Sequence, residues 1–584
     1  MKRIGEIVAQ IARTLLDLVA ALLGIYYSAK YAAVVRRLGL PRLAAGNKRR
    51  GFLVIQIDGL SHPALVAALE RGYAPYLQRL LRREGYVLDP WHPGLPCTTP
   101  AVQAGIMFGN NEDIPAFRWY DKSSGEAIVC KVPRVVKEIQ ERVGAGRRGI
   151  LRGGSSIMNM FDGHAALSLF TLSAMDRQRF FEHVRGMGFL LLFGLNPLRT
   201  LKMLLLILWE YVTELVQGTL KKLKRETPRP LERGFTFLRI MSNVVLREIQ
   251  TFAVMVDLYR GVPAIYTTYY GYDELAHHYG VLSRPALKAL RAIDRCIRRI
   301  DRLRQLALTR EYDLYVLSDH GMTAAVPLAQ AHGQTLGALL RELAGAKAAV
   351  NEAFGNERQG ALQTVYLLDE LAAIEANLNP PLAYIPRKLR QLVAKRIRLN
   401  GEENLGWDLA RQTDVVARYS GSLAHIYFNV SPKQLSVSEI ATLYPNLLSD
   451  LAAHPGVWLV VGREDEQVLV LSRRGVLTLD GEDGYHVEGE DPLALVPHPR
   501  LTAAELRRVA RFSQSGDLIV LGHYEPGTDR VISFEPMWGC HGGLGGPQEE
   551  AFLLQDGRIR WEMHRITRAT QLYELFARRY ALGD

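Results

Sequence analysis

Apolar positions in this chain fall in short unbroken runs that end on acidic residues. GFLVIQI at 51–57 runs directly into Asp58-Gly59, the pattern of a strand buried on both faces that feeds a loop. The same unit recurs at 263–270 ahead of Asp273 and at 313–318 ahead of Asp319. A helical pattern covers 63–83, a loop rich in Pro, Gly and Trp covers 89–98, and a second helix opens near Thr99. Strands alternating with helices predict an α/β fold whose mostly parallel sheet is covered by helices on both faces. Ligands of such sheets gather at the carboxyl ends of the strands, so acids at three strand ends form a convergent pattern.

The first thirty residues follow a different period. Glu6, Gln10, Arg13 and Asp17 share one helix face, while Ile4, Ile7, Val8, Ile11, Leu15, Leu18, Val19, Leu22 and Ile25 cover the rest. This predicts an amphipathic helix over 4–27. Its longest uncharged run, 18–29, is 12 residues, short of the roughly 20 that cross a bilayer. The two acids and the lack of a small-x-small site argue against a signal peptide. Further apolar runs at 187–195 and 203–209, split by Asn196-Pro197, Arg199 and Lys202, read as a buried hairpin or a pair dipping into one leaflet. The turn Gly153-Gly154-Ser155-Ser156, with Asn159 and His164 beyond it, reads as a plain loop or a substrate rim. Strand-like patterning returns at 517–521, before WGCHGGLGGP at 538–547. The expected organisation is a catalytic unit of 51–150, 260–330 and 511–584. A helical segment (1–50) precedes it, and an apolar helical insertion (151–259) and a mixed α/β insertion (331–510) interrupt it. Any substrate selectivity falls to 126–260 and 330–510, which carry no motif.

Composition narrows the class. With 48% hydrophobic and 23% charged residues the chain is globular in character, and 584 residues exceed one ordinary core. Cys97, Cys130, Cys296 and Cys540 lie far apart, which suggests neither a disulfide scaffold nor a structural zinc site and fits a reducing compartment. The net charge of +12 is concentrated: residues 1–50 hold ten Lys and Arg against Glu6 and Asp17. Basic flanks beside an apolar helix point to anionic lipid rather than to nucleic acid as a stable partner. The basic cluster at 221–225 repeats that arrangement. The expectation is association with a membrane surface, on the cytoplasmic face by the placement of positive charge. A helix packed on the body of a soluble cytoplasmic protein is the alternative.

Candidate chemistry sits at the strand ends, in IDGLS, PCTTPA, YDELAHHYG and SDHGM, and in the late CHGG. Asp and His suit zinc, manganese and related divalent ions. Asp273 and His277 are four apart, on one face if that turn is helical. Asp319 and His320 are adjacent at a strand end, where the chain can aim them at two different metals. Singly, Asp-His-Gly is mostly a loop, Asp58 a turn or cap, and His278 a structural or supporting residue. The ordered set is the signal.

That order, Asp, Thr, Asp-x-x-x-His, Asp-His-Gly and a late His, resembles the type I phosphodiesterase/nucleotide pyrophosphatase branch of the alkaline phosphatase superfamily. The resemblance covers about 51–125, 260–325 and 515–555. It implies an alkaline phosphatase-like fold and two divalent ions, zinc first, with manganese or magnesium as alternatives. One ion would fall to Asp58, Thr99, Asp319 and His320, the other to Asp273, His277 and His541. Gly280 fits the family's D-x-x-G-H-x-x-G, but Ala276 replaces its first Gly. Pro96 and Gly109 set the family register and place the nucleophile at Thr99, whereas T-x-P read over Thr98-Thr99-Pro100 would favour Thr98. Cys97-Thr98-Thr99-Pro100 lacks the C-x-P-x-R of sulfatases. The family's phosphoryl-binding Asn has no plain counterpart, and Asn110, Asn111 and Arg118 are the alternatives.

The implied activity is a metal-dependent phosphoric ester hydrolase, a phosphodiesterase working through a phospho-threonine intermediate on a phosphoester substrate. Two other classes compete with it. One is a phosphoethanolamine or phosphoglycerol transferase acting on a membrane lipid. The other is a non-catalytic, membrane-associated binding protein.

Overall fold

In the computed structural model the three acid-tipped strands lie side by side. It describes residues 50–175, 246–306, 310–345, 348–353, 414–559 and 561–580, with a few isolated positions between. The central sheet comprises β1 (Gly51–Ile57), β2 (Tyr86–Trp91), β3 (Ser155–Ile157), β4 (Leu167–Leu169), β5 (Ala264–Tyr269), β6 (Tyr312–Leu317) and β7 (Ala551–Asp556). Their order is β2-β7-β6-β1-β5-β3-β4. β1 runs parallel to both β5 and β6, with Ile57 opposite Tyr269 and Gln56 opposite Leu317. The three strands therefore end at one level. β3 and β4 extend the parallel set, and β7 is antiparallel to β6 and to β2.

Alternation along β1 shows why both faces are covered. Leu53, Ile55 and Ile57 enter one hydrophobic layer, and Phe52 and Val54 enter the other. The first layer is closed by α1 (His62–Glu70), α2 (Pro75–Arg83) and three later helices; the second by α3 (Thr99–Phe108) and the last helix. The later elements are α4 (Arg247–Arg260), α5 (Gly271–Tyr279), α6 (Arg284–Arg304) and α7 (Ala569–Tyr580). On α6, Leu287, Leu290, Ile293, Ile297 and Ile300 repeat at helical spacing and are buried, each contributing about 1.5–3 kcal/mol.

Two expectations change. The helical stretch over 63–83 is two helices: Gly72 takes a left-handed φ of 71°, and Pro75 opens α2, whose Tyr76 and Leu77 amides donate to the Asp294 carboxylate. The stretch 151–259, expected as a helical insertion, supplies β3 and β4 at the edge of the central sheet. Three-residue strands containing serine leave too short a pattern to read. Ser155 and Ser156 thus belong to a strand rather than a rim, and Asn159 is buried behind it.

A second sheet of eight strands contains 350–353, 415–420, 423–428, 457–464, 467–471, 475–479 and 486–489. Leu518–Gly522, foreseen as a strand, is one of its central members, between 423–428 and 457–464, not a strand of the central sheet. A four-stranded sheet joins Thr323–Pro327 to Gly539–Cys540, with Cys540 opposite Thr323. It fastens the Gly-rich segment beside the chain that leaves Asp319-His320. No helix among the described residues is long and apolar enough to cross a membrane. The expected helix 4–27 and the apolar pair at 187–209 lie outside the described residues, Leu205 excepted.

Candidate functional site

Each acid at a strand end points into one place. Asp58 follows β1, Asp319 and His320 follow β6, and Asp273 and His277 lie four apart on α5, the helix after β5. Ligand atoms of Asp58, Asp319 and His320 lie within 4.8 Å of one another, as do those of Asp273, His277 and His541. Adjacent Asp319 and His320 thus gather with Asp58 rather than diverging. The two sets adjoin, because the His320 and His541 rings stack at 3.8 Å between centroids. Thr99 Oγ1 lies 3.2 Å from His320 Nε2 and 3.4 Å from Asp58 Oδ1. Thr98 is the N-cap of α3 and Thr99 its first residue. His278 belongs to neither set.

Local chemistry orients these groups. His277 Nδ1 lies 2.7 Å from the Gly539 carbonyl, His320 Nδ1 2.9 Å from that of Gly321, and His541 Nδ1 2.9 Å from that of Cys97. A carbonyl only accepts, so each neutral ring carries its proton on Nδ1 and turns the Nε2 lone pair inward. Carbonyl-anchored imidazoles of this kind are typical of metal ligands. Gly59 has φ 68°, and a Cβ there would come within 2.4 Å of Asp273 Oδ1. Only glycine lets the loop after β1 close against that carboxylate. One turn below Thr99, Gln103 donates to Gln56 Oε1 at 3.1 Å and to Thr268 Oγ1 at 3.0 Å. Its carbonyl oxygen accepts from Met160 N–H at 2.9 Å, and Thr268 donates to Asn159 at 2.7 Å. This buried network pins α3 to the sheet.

The electrostatics call for cations. Burial, then the neighbouring Asp319 and Asp273 carboxylates, pushes the Asp58 carboxyl well above the usual range. Burial also raises Asp319, with His320 acting against it. At Asp273 burial acts upward, but His277, His541 and His320 together hold the carboxyl below its usual range. Burial, then His320 and His277, pushes the His541 imidazole well below its ordinary value. Among the described residues Asp273 Oδ1 and Asp319 Oδ2 are buried without a hydrogen-bond partner. Three crowded carboxylates, two of them with an unpartnered buried oxygen, are costly unless positive charge joins them. Inward imidazole nitrogens and carboxylate oxygens are a donor set that fits divalent ions such as zinc.

The cleft beside these sets is lined by both threonines and by residues that carry no motif. Its far wall includes Phe117, Arg118, Lys131, Ser420, Glu535 and Met537. Arg118 donates to Glu535 Oε1 at 2.6 Å and to the Tyr419 carbonyl at 2.9 Å. Arg118 and Lys131 both stand 5.6 Å from the Phe117 ring centre. Of the three stand-ins considered for the phosphoryl-binding Asn, only Arg118 lines the cleft. Asn110 donates to the Val143 carbonyl and Asn111 accepts from Arg508. Lys131 and Glu535 carry no spacing signal, since a hairpin and a loop from distant parts of the chain bring them together.

Residues 52–422, more than half of the chain, match the family described as type I phosphodiesterase / nucleotide pyrophosphatase. No match is found among curated proteins. Phosphonoacetate hydrolase from Sinorhizobium meliloti 1021, solved in complex with phosphonoformate, shares 15% identity over 93% of this chain and 99% of its own, with a TM-score of 0.45. Murine ectonucleotide pyrophosphatase / phosphodiesterase 5, solved as an inactive form with AMP, shares 11% over 91% and 95%, at 0.44. The human protein of that name shares 12% over the same fractions, at 0.43.

Proposed function

This chain belongs to the type I phosphodiesterase / nucleotide pyrophosphatase family, phosphoester hydrolases of the alkaline phosphatase superfamily, and from that premise we propose a phosphodiesterase that works through Thr99 and two divalent ions. The observation that carries this reading is the position of Thr99 Oγ1, within 3.4 Å of one ligand set, where the second set adjoins. Asp58, Asp319 and His320, with Thr99, would hold one ion; Asp273, His277 and His541 would hold the other. Zinc suits these mixed nitrogen and oxygen donors best. Bound there, the ions supply Lewis-acid charge to the attacked phosphoryl group and to the reacting oxygens.

The chain's own groups account for the remainder. Thr99 forms the new Oγ–P bond, the ester P–O bond breaks, and the alcohol leaves with the hydroxyl proton. Water then cleaves the phospho-threonine, restoring Thr99 and releasing the monoester. Thr99 opens α3, so negative charge on the phosphoryl oxygens lies against the positive end of that helix. The network through Gln103 holds this end in place.

Diester preference is supported by the family and by the Asp273-x-x-x-His277-x-x-Gly280 spacing. An aryl phosphodiester should therefore show higher kcat/KM than the monoester of the same phenol, assayed with Zn²⁺, Mn²⁺ and Mg²⁺. Equal or better monoester rates with all three ions would make the protein a phosphomonoesterase instead.

Contact with an anionic membrane surface, on its cytoplasmic side, is supported by the amphipathic period of 4–27 and the basic residues up to Arg50. Each Lys or Arg near such a surface adds about 1 kcal/mol. The full chain should float with anionic liposomes, and a chain lacking residues 1–50 should float less while hydrolysing a soluble ester at the same rate. Flotation of neither, or unfolding of the truncated chain, would assign the helix to the protein body.

A further inference from the structure

We propose that Thr98 is a second substrate-contacting residue, whose hydroxyl donates a hydrogen bond to a non-bridging oxygen of the phosphoryl group attacked by Thr99. The inference rests on the reading of Thr99 as the nucleophile and adds to it a donor for the anionic phosphoryl oxygens.

Thr98 occupies the N-cap of α3 in an extended conformation, φ −126° and ψ 144°. A threonine there ordinarily turns its hydroxyl back onto an amide of the first helical turn. Here Pro100 has removed one such amide, and the hydroxyl caps nothing. Ser61, Ser283, Thr335 and Ser436, at other N-caps of this molecule, each accept from their helix. Thr98 is fully buried, and among the described residues its Oγ1 has no partner. It nevertheless lines the cleft shared by Thr99, Asp273, His277 and His541. Its Cγ2 methyl stands toward Gly542, where an added Cβ would lie 3.4 Å away. A buried hydroxyl without a partner is disfavoured unless something arrives to pair with it. An anionic phosphoryl oxygen beside Thr99 is an acceptor of the required kind.

The other oriented donors nearby are committed. Arg118 is held by Glu535 and the Tyr419 carbonyl, and Asn110 and Asn111 are engaged with Val143 and Arg508. Lys131 brings charge to the far wall but no fixed direction. Among the described residues the hydroxyl of Thr98 is a neutral, unpartnered group in the cleft that Thr99 also lines.

Thr98→Val keeps the shape and removes the hydroxyl, and Thr98→Ser keeps the hydroxyl and removes the methyl. With an aryl phosphodiester, Thr98→Val should lower kcat about 100-fold, as loss of one oxyanion donor does. KM should stay within about threefold and metal content should not change, because the interaction grows with charge in the transition state. Thr98→Ser should recover kcat to within about tenfold of the parent. The melting temperature of Thr98→Val should equal or exceed that of the parent, since a methyl replaces an unpaired buried hydroxyl. A cap or packing role gives the reverse, a lower melting temperature at unchanged kcat, and overturns the proposal. So does full activity of Thr98→Val, or an activity loss that follows metal loss. If the parent is active, Thr99→Ala inert and Thr98→Val fully active, only the Thr98 assignment fails. If the parent hydrolyses no phosphoester, or Thr99→Ala stays active, the reading of Thr99 fails and takes this one with it.

Discussion

Replacing Thr99 with alanine should lower kcat by roughly 10⁴-fold or more, the scale on which a lost nucleophile acts, while the protein keeps its ions. The two sets of three ligands, Asp58-Asp319-His320 and Asp273-His277-His541, are intact in that variant, so metal retention separates lost chemistry from a lost site. Single-turnover assays on the parent should trap the substrate's esterified phosphoryl group on Thr99, detectable by peptide mass spectrometry. Thr99→Ser should retain measurable turnover, because its hydroxyl occupies the same position beside His320. Thr98 and Thr99 both line the cleft, so the contrast between them is informative. An inert Thr98→Ala beside an active Thr99→Ala would shift the nucleophile by one residue.

Asp273→Ala and His541→Ala should each empty the same metal position, and Asp58→Ala the other. Loss of even an outer-shell partner costs about 10–100-fold in affinity, and loss of a direct ligand should exceed that. Elemental analysis after gel filtration reads the result directly; two ions retained in all three variants would sink the assignment. The crowded carboxylates should also give a change of sign in stability. Removing the ions with a chelator should lower the melting temperature, since a ligand at about 1,000 times its Kd adds about 4 kcal/mol. In the metal-free protein Asp58→Asn should be more stable than the parent, because it removes one of three mutually repelling buried carboxylates. In the metal-loaded protein it should be less stable. A variant that is destabilised equally in both forms would show that Asp58 serves packing rather than a cation.

Much of the site was legible because its parts are local. A strand ending on Asp58 is visible in seven apolar residues, and the i, i+4 pair Asp273 and His277 shares a helix face by helical geometry alone. Legibility failed where the pattern was too short or broken by one backbone angle. β3 and β4 have three residues each, and the single helix expected over 63–83 is divided at Gly72.

By itself the sequence determined the parallel α/β sheet and the alignment of acids at its strand ends. These follow from periods of two and 3.6 residues, which act within one element. The tertiary structure decided what no period encodes. Cys540 pairs with Thr323 across more than two hundred residues, bringing His541 against Asp273 and His320. Distant carbonyls orient the His277 and His541 imidazoles, and Glu535 meets Arg118 on one wall of the cleft. Such contacts are set by how whole layers pack and where loops close, and a residue's near neighbours along the chain carry no trace of them.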